Sequence, residues 1–129
     1  MITLADLQKC EIKIGTVLTC EVVPDADKLL KLAVDIGLKP STTLDDSSEH
    51  IEAQNAVEER DVRQIISGIR AWYAPEDLIG KQFLFATNLE PRILKGMISQ
   101  GMILAAKQSD GSAVLLSPLS NVDAGSVVI

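Results

Sequence analysis

Apolar and polar residues alternate along much of the chain with the two-residue period of a half-buried strand. Over residues 12–22, Ile12, Ile14, Leu18, Cys20 and Val22 share one parity, while Glu11, Lys13, Thr19 and Glu21 share the other. Gly15 interrupts this pattern as a bulge or barrel corner does, and Pro24 ends it. Pro24-Asp25-Ala26-Asp27-Lys28 is a turn by composition, and residues 29–36 are the next strand, stopped by Gly37. Further strands are expected at 62–67, 82–86, 102–106 and 113–116, with a short final one at 127–129. Helix is sparse. Thr3 caps a short turn that puts Leu4 and Leu7 on one face. Residues 73–80 read as a short helix, with Pro75 in its first turn, Glu76 and Asp77 at its positive end and Gly80 just past its end. Residues 88–100 read as a mostly irregular connection containing Pro91 and Gly96.

Many short strands with turn punctuation and little helix predict a small, mainly all-β barrel. Five or six strands suit a five-stranded Greek-key barrel of the oligonucleotide-binding (OB) kind, with short helices and extra strands at the C-terminal end. The pattern alone does not separate this from a sandwich. The length of 129 residues fits one domain, 1–129. A chain of this size can bury a core without disulfide staples.

Aromatic residues are only 3% of the chain, namely Trp72, Tyr73, Phe83 and Phe85. The core is therefore expected to be aliphatic, with Phe83 and Phe85 on one face of one strand. No apolar run approaches the roughly 20 residues of a membrane span. The N-terminal residues lack the basic-then-apolar pattern of a signal peptide. These readings point to the cytoplasm and to no membrane partner. Cys10 and Cys20, ten residues apart on one expected strand, are expected to be free thiols.

The formal charge of -6 argues at first against a nucleic-acid partner. Its distribution changes that reading. Residues 38–62 carry seven acids and two bases, a net of -5, and the rest of the chain carries 11 acids and 10 bases, a net of -1. The acidity is concentrated in a polar insertion at 38–62 on a nearly neutral framework. That insertion reads as an excursion from the barrel.

Catalytic chemistry is poorly supplied. The single histidine, His50, lies in this acidic stretch and reads as a solvated loop residue. There is no close cysteine pair for a metal, and neither phosphate-cradling glycine motif occurs. A non-enzymatic module without metal or cofactor is expected.

Several segments, taken in order, resemble one family. They are Ile12-Lys13-Ile14-Gly15-Thr16-Val17, Pro24-Asp25-Ala26-Asp27-Lys28-Leu29, Arg63-Gln64-Ile65-Ile66-Ser67-Gly68-Ile69, Pro75-Glu76-Asp77-Leu78-Ile79-Gly80-Lys81, Asn88-Leu89-Glu90-Pro91-Arg92 and Ser99-Gln100-Gly101-Met102-Ile103-Leu104-Ala105-Ala106. Together they resemble the tRNA-binding domain found at the carboxy terminus of many methionyl-tRNA synthetases. The resemblance covers nearly everything except residues 38–62. It implies an OB barrel, binding to structured tRNA with little sequence preference, and a homodimer. It places catalysis in a methionyl-tRNA synthetase catalytic chain or in another part of a longer one. A second branch of the family implies a secretion-related chaperone or protein-docking module instead, with Leu29 and Leu30, or Ile93, Leu94, Met97 and Ile98, as its exposed patch.

Matched to the family's motifs, the candidate RNA-binding residues are Lys13, Lys28, Arg63, Asn88, Arg92, Lys95, Ser99 and Met102. The basic side chains neutralise phosphate; Asn88 and Ser99 bond ribose or phosphate oxygens. Met102 is expected to lie against a base face. By strand parity, Lys13 and Arg63 are expected to face outward. Lys13 stands where the family usually has arginine, so the planar fork is lost. Ile93 replaces a usual lysine, and Met97-Ile98 a usual Val-Glu. Too few aromatics exist for a multi-ring stacking platform. Backbone and shape contacts to a folded RNA are therefore expected, rather than the reading of an extended strand.

Overall fold

The computed structural model describes residues 1–39 and 59–129. The bulk of the insertion expected at 38–62 lies outside the described residues. Its ends do not belong to an excursion at all: they are the continuations of two strands.

The chain opens with α1 (Leu4–Gln8), which Thr3 caps through a reciprocal pair of bonds with Asp6. β1 (Ile12–Val22), β2 (Leu30–Leu38) and β3 (Arg60–Ser67) follow as an antiparallel meander. After the short α2 (Pro75–Leu78), β4 (Gln82–Ala86) pairs with the first half of β1. β5 (Arg92–Leu94) and β6 (Met97–Ser99) form a hairpin, β7 (Met102–Ile103) pairs with β4, and β8 (Ala105–Lys107) pairs with β9 (Ala113–Leu115). The main sheet has the order β3-β2-β1-β4-β7.

This sheet curls until its two edges meet. Gln100 N–H donates to the Gln64 carbonyl at 2.8 Å, and Gln64 N–H donates to Gln100 Oε1 at 2.9 Å. The Ser99 hydroxyl accepts from Ile66 N–H at 3.0 Å. Side chains here do the work of a ladder that two short strands cannot complete. Gly101 sits in the seam, where a Cβ would lie 3.0 Å from the Ala86 carbonyl oxygen. The result is the expected OB-like barrel, closed along one seam by a backbone bond and by the side chains of Gln100 and Ser99.

The core is aliphatic around a buried phenylalanine. Val17, Leu30, Leu32, Val34, Ile36, Ile65, Leu78 and Phe85 are all fully buried. Phe83 and Phe85 are both buried, as expected, and α2 contributes Leu78.

Three expectations are corrected. The first is the phase of β1. The register shifts between Val17 and Thr19, so the bulge lies at Leu18 and not at Gly15. Before it Gly15 and Val17 face the core, where a Cβ at Gly15 would lie 2.6 Å from Val34 Cγ1, while Ile14 is buried as well, against the backbone of Gly125 and Ser126. After it Cys20 takes over the buried face, and Leu18 is 44% exposed. The second is the connection at 88–100, which contains the β5–β6 hairpin. Lys95 and Gly96, both with positive φ, make the two-residue turn that suits antiparallel strands. The third concerns the ends of elements. β2 runs through Gly37 to Leu38, β3 starts at Arg60, and the 102–106 strand divides into β7 and β8. The expected last strand is a single bridge, Lys13 to Val127, with Val128 N–H donating to the Ile12 carbonyl at 2.8 Å.

Candidate nucleic-acid interface

The β1–β2 loop is the first element of the site. Its shape comes from the backbone: Ala26 N–H donates to Val23, Leu29 N–H donates to Ala26, and Asp25 adopts a positive φ of 62°. Among the described residues neither Asp25 nor Asp27 caps a backbone amide there. Ala26 is buried as the plug of the loop, which leaves Lys28 exposed.

The β5–β6 hairpin is the second element. Its tip meets the β1–β2 loop, and the two enclose a groove of about 580 Å³ lined by Asp25, Lys28, Leu29, Ile93 and Lys95 among others. The structure thus brings Lys28 and Lys95 together from positions 67 residues apart in the chain. Asp25 and Asp27 balance these two cations, so the groove, whose walls are largely apolar through Ala26, Leu29, Ile93 and Leu94, is not strongly positive. Arg92 is exposed on the same hairpin, across from Ser99. Among the described residues Lys28, Arg92 and Lys95 have no carboxylate within ion-pair distance.

The other candidates are placed differently. Arg63 does not face outward. It shares parity with the fully buried Ile65, and its side chain is only 22% exposed. Nη1 donates to the carbonyls of Thr87 and Gln100, and the rest of the fork pairs with Asp61 at 3.1 Å. The expectation failed because outward parity was inferred from neighbouring residues, whereas β3 turns its 63, 65 face inward. Lys13 is likewise on the interior parity of Gly15 and is half-buried, 3.8 Å from Glu11. It lines a separate depression with Arg60 and Asp123, away from Lys28.

Ser99 is 1% exposed, and its hydroxyl is already committed. It accepts from Ile66 N–H and donates to the Gly101 carbonyl, each at 3.0 Å. Asn88 bridges the chain before β1, accepting from Glu11 N–H at 2.8 Å and donating to the Lys9 carbonyl at 2.7 Å. These two side chains fix the connection that carries Arg92 and Lys95. Met102 lies on β7 opposite Ala86 and is partly exposed.

One cation escaped the motif reading. Arg70 lies against the back of the β1–β2 loop, with its N–H donating to the Lys28 carbonyl at 3.3 Å and Nη1 donating to the Ala26 carbonyl at 3.4 Å. Only its position after Gly68-Ile69, at the end of a strand, hinted at this. Among the described residues no three His, Cys, Asp or Glu side chains gather to hold a metal ion. No helix among them is long and apolar enough to cross a membrane.

Residues 53–127 match the family described as "Putative tRNA binding domain". The chain belongs to the tRNA-binding domain family. It is 44% identical over 127 residues to the methionine–tRNA ligase of Porphyromonas gingivalis, which covers 98% of this chain and 15% of that ligase. The chain therefore spans about a seventh of the length of such relatives. Among solved structures, a MetRS-related protein from Pyrococcus horikoshii aligns with a TM-score of 0.79 at 30% identity, covering 100% of this chain and 98% of that one. The chaperone CsaA from Bacillus anthracis aligns with a TM-score of 0.75 at 26% identity, covering 100% of this chain and 99% of that one.

Proposed function

We propose that residues 1–129 act as a single non-catalytic domain that binds structured tRNA in the cytoplasm and works with a methionyl-tRNA synthetase catalytic chain. The observation that carries this reading is the convergence of Lys28 and Lys95 on one groove between the two loops that OB barrels use for oligonucleotides. Lys28, Arg92 and Lys95 contact phosphates directly. Met102 lies against a nucleotide at the edge of β7, and Lys13 adds long-range attraction. Arg63, Asn88 and Ser99 serve binding by holding the β4–β7 connection in place. With three cations that have no ion-pair partner among the described residues, two of them beside Asp25 and Asp27, binding is modest. The log-log salt slope is about -2 to -3, from 0.7–0.9 per neutralised phosphate. Gel shifts against salt test this. Arg92→Ala should weaken binding of all tRNAs alike and flatten the slope by one such step; an unchanged affinity and slope would remove Arg92 from the site.

The same reading includes a homodimer. The C-terminal segment pairs with β1 at Ile12–Ile14, beside the chain that leads from α1. Exposed Leu4, Leu7, Val127 and Val128 therefore lie near one end of β1. A second copy covers them and offers one tRNA two grooves. Light scattering at micromolar concentration should give twice the chain mass; the single mass excludes the dimer.

A protein-docking role has one observation in its favour. Ile93 and Ile98 are cross-strand partners, and both are exposed beside the groove. Competition between tRNA and an unfolded peptide at fixed salt separates the two readings. Tighter peptide binding that Ile93→Ser abolishes would favour docking.

A further inference from the structure

Trp72 is the only tryptophan, and among the described residues it is the one well-exposed aromatic ring, at 45%. Phe83 and Phe85 are buried in the core. Tyr73 packs against that core, and its hydroxyl accepts from Leu115 N–H at 3.0 Å. Trp72 is left exposed. Its backbone is fixed by N–H bonds from Trp72 and Tyr73 to the Ile69 carbonyl at 3.0 and 3.1 Å. Trp72 lines a depression of about 480 Å³ with Val22, Arg70, Tyr73 and Glu76.

Arg70 joins this depression to the groove. It is anchored to the β1–β2 loop by two hydrogen bonds to carbonyls, and one guanidinium nitrogen is accounted for by them. Among the described residues no carboxylate lies within ion-pair range of it. Arg70 thus lines the depression with Trp72 and also bonds the loop whose Lys28 lines the groove. A flat apolar ring beside a planar cation with unused donors suits one chemical class, an aromatic base attached to a phosphate.

We propose that Trp72 stacks on one unpaired nucleobase of bound RNA and that Arg70 holds a phosphate next to that base. The inference rests on the tRNA-binding reading and extends its surface across the β1–β2 loop. A single ring gives a one-base platform. It tolerates any base, and it matches a folded RNA that offers few splayed nucleotides.

The lone tryptophan makes the test direct. The full chain is titrated with tRNA, with an RNA hairpin bearing a single-stranded 3′ extension, and with the same hairpin blunt-ended. Tryptophan fluorescence should be quenched, and shielded from acrylamide, by tRNA and by the extended hairpin, and much less by the blunt one. Trp72→Ala should weaken tRNA binding by about 5- to 150-fold, the range for loss of one stacked base. Trp72→Phe should retain most of the affinity. Circular dichroism melts of both variants check that this exposed site leaves the fold intact. Saturating tRNA binding by gel shift with no change in tryptophan emission would overturn the stacking proposal and leave the tRNA reading standing. Equal losses in the Phe and Ala variants would overturn it as well, since any ring can stack. Absence of tRNA binding by the unmodified chain would instead refute the parent reading.

Discussion

Replacing Arg63 with alanine separates a clasp from a phosphate contact. In the structure its guanidinium spans the barrel seam, from Asp61 on β3 to the carbonyls of Thr87 and Gln100. Thr87 is 5% exposed, so its carbonyl loses a donor where little water can replace it. A hydrogen bond from a charged group contributes about 1.5–3 kcal/mol, and an orphaned buried acceptor costs a similar amount. The Asp61 pair is partly exposed on both sides and adds at most about 1 kcal/mol. These effects overlap, so Arg63→Ala is expected to destabilise the domain by about 2–4 kcal/mol. With a urea m-value of about 2 kcal/mol/M, the unfolding midpoint falls by roughly 1–2 M. Arg63→Lys keeps the charge but cannot reach Asp61 and both carbonyls with one ammonium, so it should recover less than half of the loss. Urea titration followed by circular dichroism measures the midpoint, and gel shifts on the folded variant measure the salt slope of tRNA binding. A clasp lowers the midpoint and leaves the slope alone. An unchanged midpoint with a slope flattened by 0.7–0.9 would show that Arg63 neutralises a phosphate, and the clasp assignment would fail.

Gly15→Ala should destabilise the fold by about 1–3 kcal/mol, because its Cβ would lie 2.6 Å from Val34 Cγ1 and 2.8 Å from Phe85 Cδ1, both on fully buried residues; an unchanged melting temperature would refute the inward phase of early β1. Both cysteines are free, but Cys10 is exposed and Cys20 is buried. Burial, with a smaller contribution from Glu21, pushes the Cys20 thiol up to about 11. Its folded value therefore lies above the unfolded one near 9, so the associated stability is complete below pH 9 and lost as pH rises towards 11. Thiol titration at pH 7.5 without reductant should find one fast group in the native protein and two in urea; two fast native groups would contradict the burial. Replacing residues 40–58 with a short Gly-containing turn should barely move the melting temperature. The stem is held by Lys39 N–H to the Glu59 carbonyl at 3.0 Å and by the Arg60–Asp35 ion pair at 3.1 Å, and loop closure costs only about 0.6 kcal/mol per doubling of length. That deletion removes five acids and no base, taking the net charge from -6 to -1. It should tighten tRNA binding at low salt, with the gain fading as salt screens the charge; a variant that unfolds or binds more weakly would refute this.

Local chemistry made much of this protein legible from sequence. The Thr3 cap, Pro75 at the start of α2, the Phe83–Phe85 core face and the turn glycines each follow from neighbours within a few residues. Order along the chain also sufficed for the family, because six motifs in sequence need no knowledge of contacts. The phase of β1 was different. Period-two alternation says that residues alternate but not where an extra residue enters, and one residue at Leu18 exchanges the two faces of the strand. The β5–β6 hairpin was hidden because three-residue strands carry too short a period to read, and positive φ at Lys95 leaves no trace in its identity. The roles of Arg63, Ser99 and Asn88 were decided by carbonyls and amides 24 to 79 positions away. A polar side chain looks the same in sequence whether it awaits a ligand or closes a barrel. Its partners are chosen by the curl of the sheet, which brings distant backbone groups to bonding distance and, among the described residues, leaves Lys28 and Lys95 on one groove without an ion pair.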